Sequence, residues 1–261
     1  MLHKFILFIS FVIALAPSMS ASTDLIQEAD QAYLDDDFEN ALELYLQSAE
    51  EDGTSSNLYY NIGNCYYRLD MPGKAIVNYE RALKLDPSNK DAATNLAFVN
   101  SRIIDKPVDN LSLSEKIGQR VVNTFSADAW AWITFSIFVL FICAAAGYIF
   151  MSDVIVRKAC FFSGLLFILL TVIGIVITIS SANQMNNHND VIIISESVNL
   201  GTSPRMPKDK SEEAFLLHEG TRLKIVDSLN TTNGNVKTKW YEVMVNNEHR
   251  AWINADNVEK I

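Results

Sequence analysis

The chain has 261 residues, is 49% hydrophobic and carries a formal net charge of -10. So acidic a balance disfavours nucleic acid as a ligand, because a polyanion is held by neutralising its phosphates with Lys and Arg. Three cysteines, Cys65, Cys143 and Cys160, have no CxxC or ligand spacing, which argues against a zinc site and a disulfide framework. The N-terminal stretch has Lys4 near its start, then an apolar run over 5–16, Pro17, and the small-residue stretch Ser18-Met19-Ser20-Ala21-Ser22. A run of about twelve apolar residues is too short to span a bilayer, so 1–21 reads as a secretory signal peptide. An uncleaved anchor is the alternative, and it translocates the same following segment.

From 22 to 89 the sequence repeats at a spacing of 34 residues. The copy at 56–89 carries Tyr59, Ile62, Gly63 and Tyr66 on a first helix, Ala75, Tyr79 and Ala82 on a second, and then Pro87. Shifted back by one period, Ala29 stands for Gly63, Ala41 for Ala75 and Tyr45 for Tyr79. Small residues let paired helices approach and aromatics fill the space between them. The period and the pattern resemble the tetratricopeptide helical hairpin, which implies an all-α solenoid over 22–105. Its parts are repeats at 22–55 and 56–89 and a capping helix over 90–105. The first repeat holds eleven acidic residues and no Lys or Arg. Within it, Asp35-Asp36-Asp37 lacks the glycine and terminal Glu of a calcium loop and reads as a solvated turn.

A helix starting near Asn57 gathers Asn57, Asn61, Asn64 and Arg68 on the side opposite its apolar face. Steps of 34 align Gln27, Asn61 and Asn95 in a column of amides, and Arg68 with Arg102. Amides pair with the backbone of an extended peptide, and two guanidinium groups suit a carboxylate. These seven residues form a candidate peptide groove, the alternative being a solvated face.

The segment 106–128 starts as a linker containing Pro107 and becomes periodic at Leu113, Ile117, Val121 and Phe125, the pattern of a helix lying at a membrane interface. Two uncharged apolar stretches follow, 130–151 and 159–182, each roughly 33 to 36 Å long as a helix and sufficient to cross a bilayer. The polar break 152–158 forces an antiparallel hairpin, so both flanking arms lie on one side of the membrane. Arg157 and Lys158 in that break agree with a cytoplasmic loop. Gly147, Ser163, Gly164, Gly174 and the Ala144-Ala145-Ala146 run suit close helix contact. No ionisable residue inside either stretch marks a transport path.

Beyond a polar linker at 183–190, short β runs are punctuated by Gly201-Thr202-Ser203-Pro204 and Asn233-Gly234-Asn235, which predicts a small closed barrel over 191–261. The order of Ser197-Val198-Asn199-Leu200, Leu217-His218-Glu219-Gly220-Thr221, Trp240-Tyr241-Glu242-Val243 and Ala251-Trp252-Ile253 resembles a bacterial SH3-type domain. It departs from that family's usual loop where Gly201 stands and the arginine is absent. Trp240 and Trp252 form a candidate ligand face, with core roles as the alternative. His218 and His249 read as isolated surface residues.

No nucleophile, carboxylate pair, phosphate loop or metal cluster emerges, so neither an enzyme nor a cofactor is expected. The fold class is a multidomain membrane protein: tetratricopeptide solenoid, two-helix transmembrane hairpin, SH3-like barrel. Signal, repeats, hairpin and SH3-type tail in this order resemble the BatE proteins of bacterial aerotolerance operons. The resemblance implies an inner-membrane scaffold with both arms in the periplasm, acting beside von Willebrand A-type membrane proteins and a MoxR-type ATPase. A peptidoglycan-binding adaptor that recruits a cell-wall enzyme is the alternative.

Overall fold

A computed structural model describes residues 22–106, 113–185, 189–233, 236–246 and 249–261. The expected signal peptide, Pro107 and the Gly234-Asn235 pair lie outside the described residues. The chain divides into two compact units, Met1–Thr54 and Ser55–Ile261.

In the first unit, helices α1 (Ser22–Leu34) and α2 (Phe38–Asp52) pack through Ala29, Ala32, Ala41, Tyr45 and Ser48, all buried. The acidic triplet makes the turn between them. Asp36 takes a positive φ of 62°, and the Asp37 side chain accepts from Asn40 N to cap α2. The Tyr45 hydroxyl donates to Asp30.

The second unit opens with α3 (Ser56–Arg68) and α4 (Pro72–Leu85) and repeats this construction 34 residues on. Asp70 takes the positive φ (59°) held by Asp36, and Tyr79 donates to Asn64 as Tyr45 does to Asp30. Tyr79 lies against Gly63, where an added Cβ would stand 2.7 Å from the ring. Only a residue without a side chain fits there. Helix α5 (Lys90–Asn100), capped by Asn89, covers the pair with Ala92 and Val99.

Helix α6 (Leu113–Val122) leaves Leu113, Ile117 and Val121 exposed, the face expected to meet a membrane interface. Helices α7 (Ala127–Phe150) and α8 (Val154–Met185) then form an antiparallel hairpin, and both are long and apolar enough to cross a membrane. Few residues of their apolar stretches are buried, which distinguishes them from the core helices of a soluble protein. The break expected at 152–158 narrows to three residues, because Asp153 Oδ1 accepts from Ile155 N and Val156 N and starts α8 early. The seam uses the small residues: Gly174 faces Thr134, Gly147 faces Cys160, and Gly164 faces Ala144.

Among the described residues, seven strands complete the unit: β1 (Asp190–Ile193), β2 (Ser197–Gly201), β3 (Glu213–His218), β4 (Arg222–Asn233), β5 (Val236–Met244), β6 (Arg250–Asn254) and β7 (Val258–Lys260). They form one antiparallel sheet in the order β3-β2-β6-β5-β4-β1-β7. The expected closed barrel is instead a curled half-barrel, since β3 and β7 remain edges. Its core is Val191, Ile193, Leu200, Leu223, Val243, Ala251 and Ile253 with Tyr241.

The β7 edge is covered by α4. Arg81 Nη2 donates to Lys260 O at 2.6 Å and Lys84 Nζ to Ile261 O at 2.9 Å, which satisfies carbonyls that a bare edge would expose. Strand β1 is buried on both faces. Val191 and Ile193 enter the sheet core, while Ile192 points the other way into a second cluster with Ile76, Val77, Tyr79, Val99, Ile103 and Ile261. Burial on both sides explains an unbroken apolar run at 191–194 in place of alternation.

Candidate functional site

The junction between the second repeat and the sheet is built on two glycines. At Gly73 in the first turn of α4, a Cβ would lie 2.6 Å from Ile193 O. At Gly220 in the β3–β4 turn, φ is +86° and a Cβ would lie 2.6 Å from Ile103 Cγ2 and 3.0 Å from Ile76 Cδ1. These contacts let helix and turn meet at backbone distance.

The same turn caps the helix. Helix α4 begins with Met71 in the cap position, which supplies no side-chain bond, where the first repeat has Asp37. Glu219 fills the role instead, its Oε1 accepting from Gly73 N at 2.9 Å. A carboxylate at a helix N-terminus satisfies an orphan donor and complements the macrodipole. Asp105 does the converse for the sheet: its Oδ2 accepts from His218 N at 2.7 Å and Thr221 Oγ1 at 3.1 Å, and lies 3.1 Å from His218 Nδ1. His218 is therefore a partner of Asp105 rather than an isolated surface residue. Ion pairs flank the contact, Arg222 with Glu80 at 2.7 Å and Arg81 with Glu259 at 2.8 Å.

The two carboxylates respond oppositely to pH. Burial raises the Glu219 carboxyl, and Asp70 and Glu196 add to the rise against the Gly73 N–H and Lys74. A raised acid stabilises the folded state fully below its unfolded pKa, and that contribution is lost as pH climbs through the raised value. For Asp105, burial also acts upward but is outweighed by the His218 and Thr221 hydrogen bonds, so the carboxyl sits below its ordinary value. Its contribution is present above the ordinary carboxylate range and lost as pH falls through the depressed value. Glu219→Gln keeps an acceptor for Gly73 and removes a buried charge. At neutral pH it should leave docking as tight or tighter in urea unfolding of the full chain, whereas Asp105→Ala should weaken it.

A cavity of about 540 Å³ opens beside this junction, lined by Tyr67, Arg68, Val99, Arg102, His218 and Glu219 among others. It brings together the two arginines that the 34-residue step aligned. Arg102 Nη1 donates to the Tyr67 hydroxyl at 3.2 Å, and its guanidinium lies 4.2 Å from the Phe98 ring centroid. Asp70 and Glu196 also line the cavity, so its polar lining carries both signs. Two of the candidate groove amides meet. Asn95 Nδ2 donates to Asn64 Oδ1 at 2.8 Å, and the same oxygen accepts from Tyr79, so Asn64 ties α3, α4 and α5 together. Asn61 is half-buried and Asn57 exposed on α3, while Gln27 is exposed on α1 of the other unit.

By register, Trp240 and Trp252 share the sheet face opposite Tyr241 and Val243. Trp240 is 5% exposed, so its ring offers no surface; Trp252 is half-buried. Burial pushes the Cys65 thiol up to about 12, which keeps it protonated and unreactive. Among the described residues, no group of three or more His, Cys, Asp and Glu is placed to hold a metal ion. The glycine junction, the Glu219 cap and the Asp105 latch were not evident from sequence spacing. Met71 in place of an aspartate and the non-alternating β1 run were the available signals.

The helical hairpin defines the class of this region. Residues 56–89 match the tetratricopeptide repeat family, a non-catalytic module of protein–protein interaction. A 69-residue stretch is similar to the Protein SGT1 homolog of Oryza sativa subsp. japonica, at 36% identity over 26% of this chain and 19% of that protein. The matched stretch thus spans about a fifth of that protein's length.

Proposed function

We propose that the chain is a membrane-anchored scaffold that holds protein partners through its repeats, within a BatE-like aerotolerance complex. The observation that carries the reading is the matched repeat at 56–89, whose polar stripe ends at the cavity that Arg68 and Arg102 both line. A partner's extended segment lies along Asn57, Asn61 and Asn95, with a carboxylate directed to the two arginines. On the first repeat, Gln27 is the residue one period before Asn61 and is the candidate contact of that repeat. Spans at 130–151 and 159–182 anchor the scaffold in the inner membrane with both arms in the periplasm. The curled sheet at 191–261 is read as an SH3-like domain that braces the repeat. By resemblance, the partners are von Willebrand A-type membrane proteins associated with a MoxR-type ATPase.

The peptidoglycan alternative depends on Trp240 and Trp252 as a ligand face, and the burial of Trp240 makes protein binding the preferred reading. Crosslinking in intact membranes, followed by identification of the captured proteins, tests the scaffold. Combining Arg68→Ala with Arg102→Ala should lower capture by about tenfold, the scale of a lost charge-assisted contact, while helicity is unchanged. Capture that persists in this variant would remove the groove from the account.

A further inference from the structure

At the end of the hairpin far from the second repeat and the sheet, the start of α8 and the last turn of α7 enclose a cleft of about 560 Å³. Its walls are Tyr148, Val154, Arg157, Lys158, Phe161 and Phe162. On α8 the spacing 154, 158, 161 and 162 places these side chains on one helix face, with Arg157 at its border. The Arg157 guanidinium lies 5.2 Å from the Tyr148 ring centroid. Tyr148 in turn meets Phe161 at 5.9 Å, and Phe161 meets Phe162 at 5.5 Å.

The cleft is therefore amphipathic along the hairpin axis. Two cations sit at its mouth, and the Phe161 and Phe162 rings lie about one turn, roughly 5 Å, deeper into the apolar stretch. No carboxylate lines it among the described residues. The nearest acid in sequence, Asp153, caps α8 through Ile155 N and Val156 N. Because the uncharged stretch beginning at Ala159 fills a hydrocarbon core, Arg157 and Lys158 fall at headgroup depth whichever leaflet they face.

We propose that this cleft binds an anionic phospholipid, its phosphate held between Arg157 and Lys158 and its glycerol and upper acyl chain against Tyr148, Phe161 and Phe162. Charge complementarity selects the headgroup, and the aromatic wall selects a lipid over a soluble anion. The site would give the scaffold a lipid-composition dependence at its cytoplasmic tip, away from the surfaces that hold protein partners. This inference rests on the reading of α7 and α8 as membrane spans.

The test is co-flotation of the full chain with phosphatidylcholine vesicles and with vesicles containing phosphatidylglycerol of the same acyl chains, followed by native mass spectrometry of retained lipid. The chain should float with both and retain phosphatidylglycerol over phosphatidylcholine by roughly tenfold. Arg157→Gln with Lys158→Gln should float equally and lose that preference, whereas Lys208→Gln with Lys210→Gln, which removes the same charge from the β2–β3 connection, should keep it. Equal retention of the two lipids, an unchanged preference in the Arg157/Lys158 variant, or loss in the control pair would overturn the site alone. Displacement of the lipid by inorganic phosphate would overturn it in favour of a soluble-anion site. Failure to float with either vesicle would overturn the membrane reading and the lipid site with it.

Discussion

Gly220→Val should separate the sheet from the second repeat without unfolding the repeat. The position combines a φ of +86° with a Cβ direction that meets Ile103 and Ile76 at 2.6 and 3.0 Å. A β-branched residue in the left-handed region costs roughly 1–2 kcal/mol, and overpacking adds about 1–3. Both costs fall on the turn that carries Glu219 and His218, so the cap on Gly73 and the Asp105 latch are lost together. In hydrogen exchange of the full chain, β1 and the first turn of α4 should lose protection while α3 and the rest of α4 retain it. Gly118→Val is the matching control, because a Cβ there meets nothing within 4 Å. It should leave protection unchanged.

Tyr79→Ala should have the second large effect, and it should act on the repeat itself. The side chain is 1% exposed, fills the space beside Gly63, and donates to the Asn64 oxygen that also receives Asn95. Removing a buried aromatic ring costs about 3–5 kcal/mol, a large part of a small domain's stability. Tyr79→Phe removes only the hydroxyl and should cost about 0.5–1.5 kcal/mol. Urea unfolding followed by far-UV circular dichroism separates the two. Near-equal losses would mean that the hydrogen bonds, rather than the packing of the ring, hold the three helices.

Much of the helical part was legible because its determinants recur. Ala41 and Ala75, Tyr45 and Tyr79, and the left-handed Asp36 and Asp70 occupy the same places one period apart, and packing at each copy enforces the same choice. The apolar hairpin was legible because two long uncharged runs separated by a short polar break leave an antiparallel helix pair as the reading. The extent of α8 was less so, since Asp153 caps a helix that begins before the polar residues end.

The junction was hidden for a different reason. Its contacts join residues more than a hundred positions apart, such as Gly73 with Glu219 and Asp105 with His218, and each is ordinary in its own sequence context. The curled sheet departs from a closed barrel for a related reason: α4 covers an edge that strand pairing alone leaves open. For the candidate groove, spacing aligned Arg68 with Arg102, and both line one cavity. It did not reveal that the Asn64 oxygen is occupied internally, because that depends on the reach of Tyr79 and Asn95.

The docked repeat and sheet are central to this account, and amide exchange at Gly73 in the full chain tests that docking most directly. An N–H in the first turn of a helix has no intrahelical acceptor and exchanges freely unless something outside the helix holds it. Docking by Glu219 predicts exchange at Gly73 slowed by about a hundredfold or more, and restored to the free rate in Gly220→Val. Free exchange at Gly73 in the unmodified chain would contradict the docked arrangement.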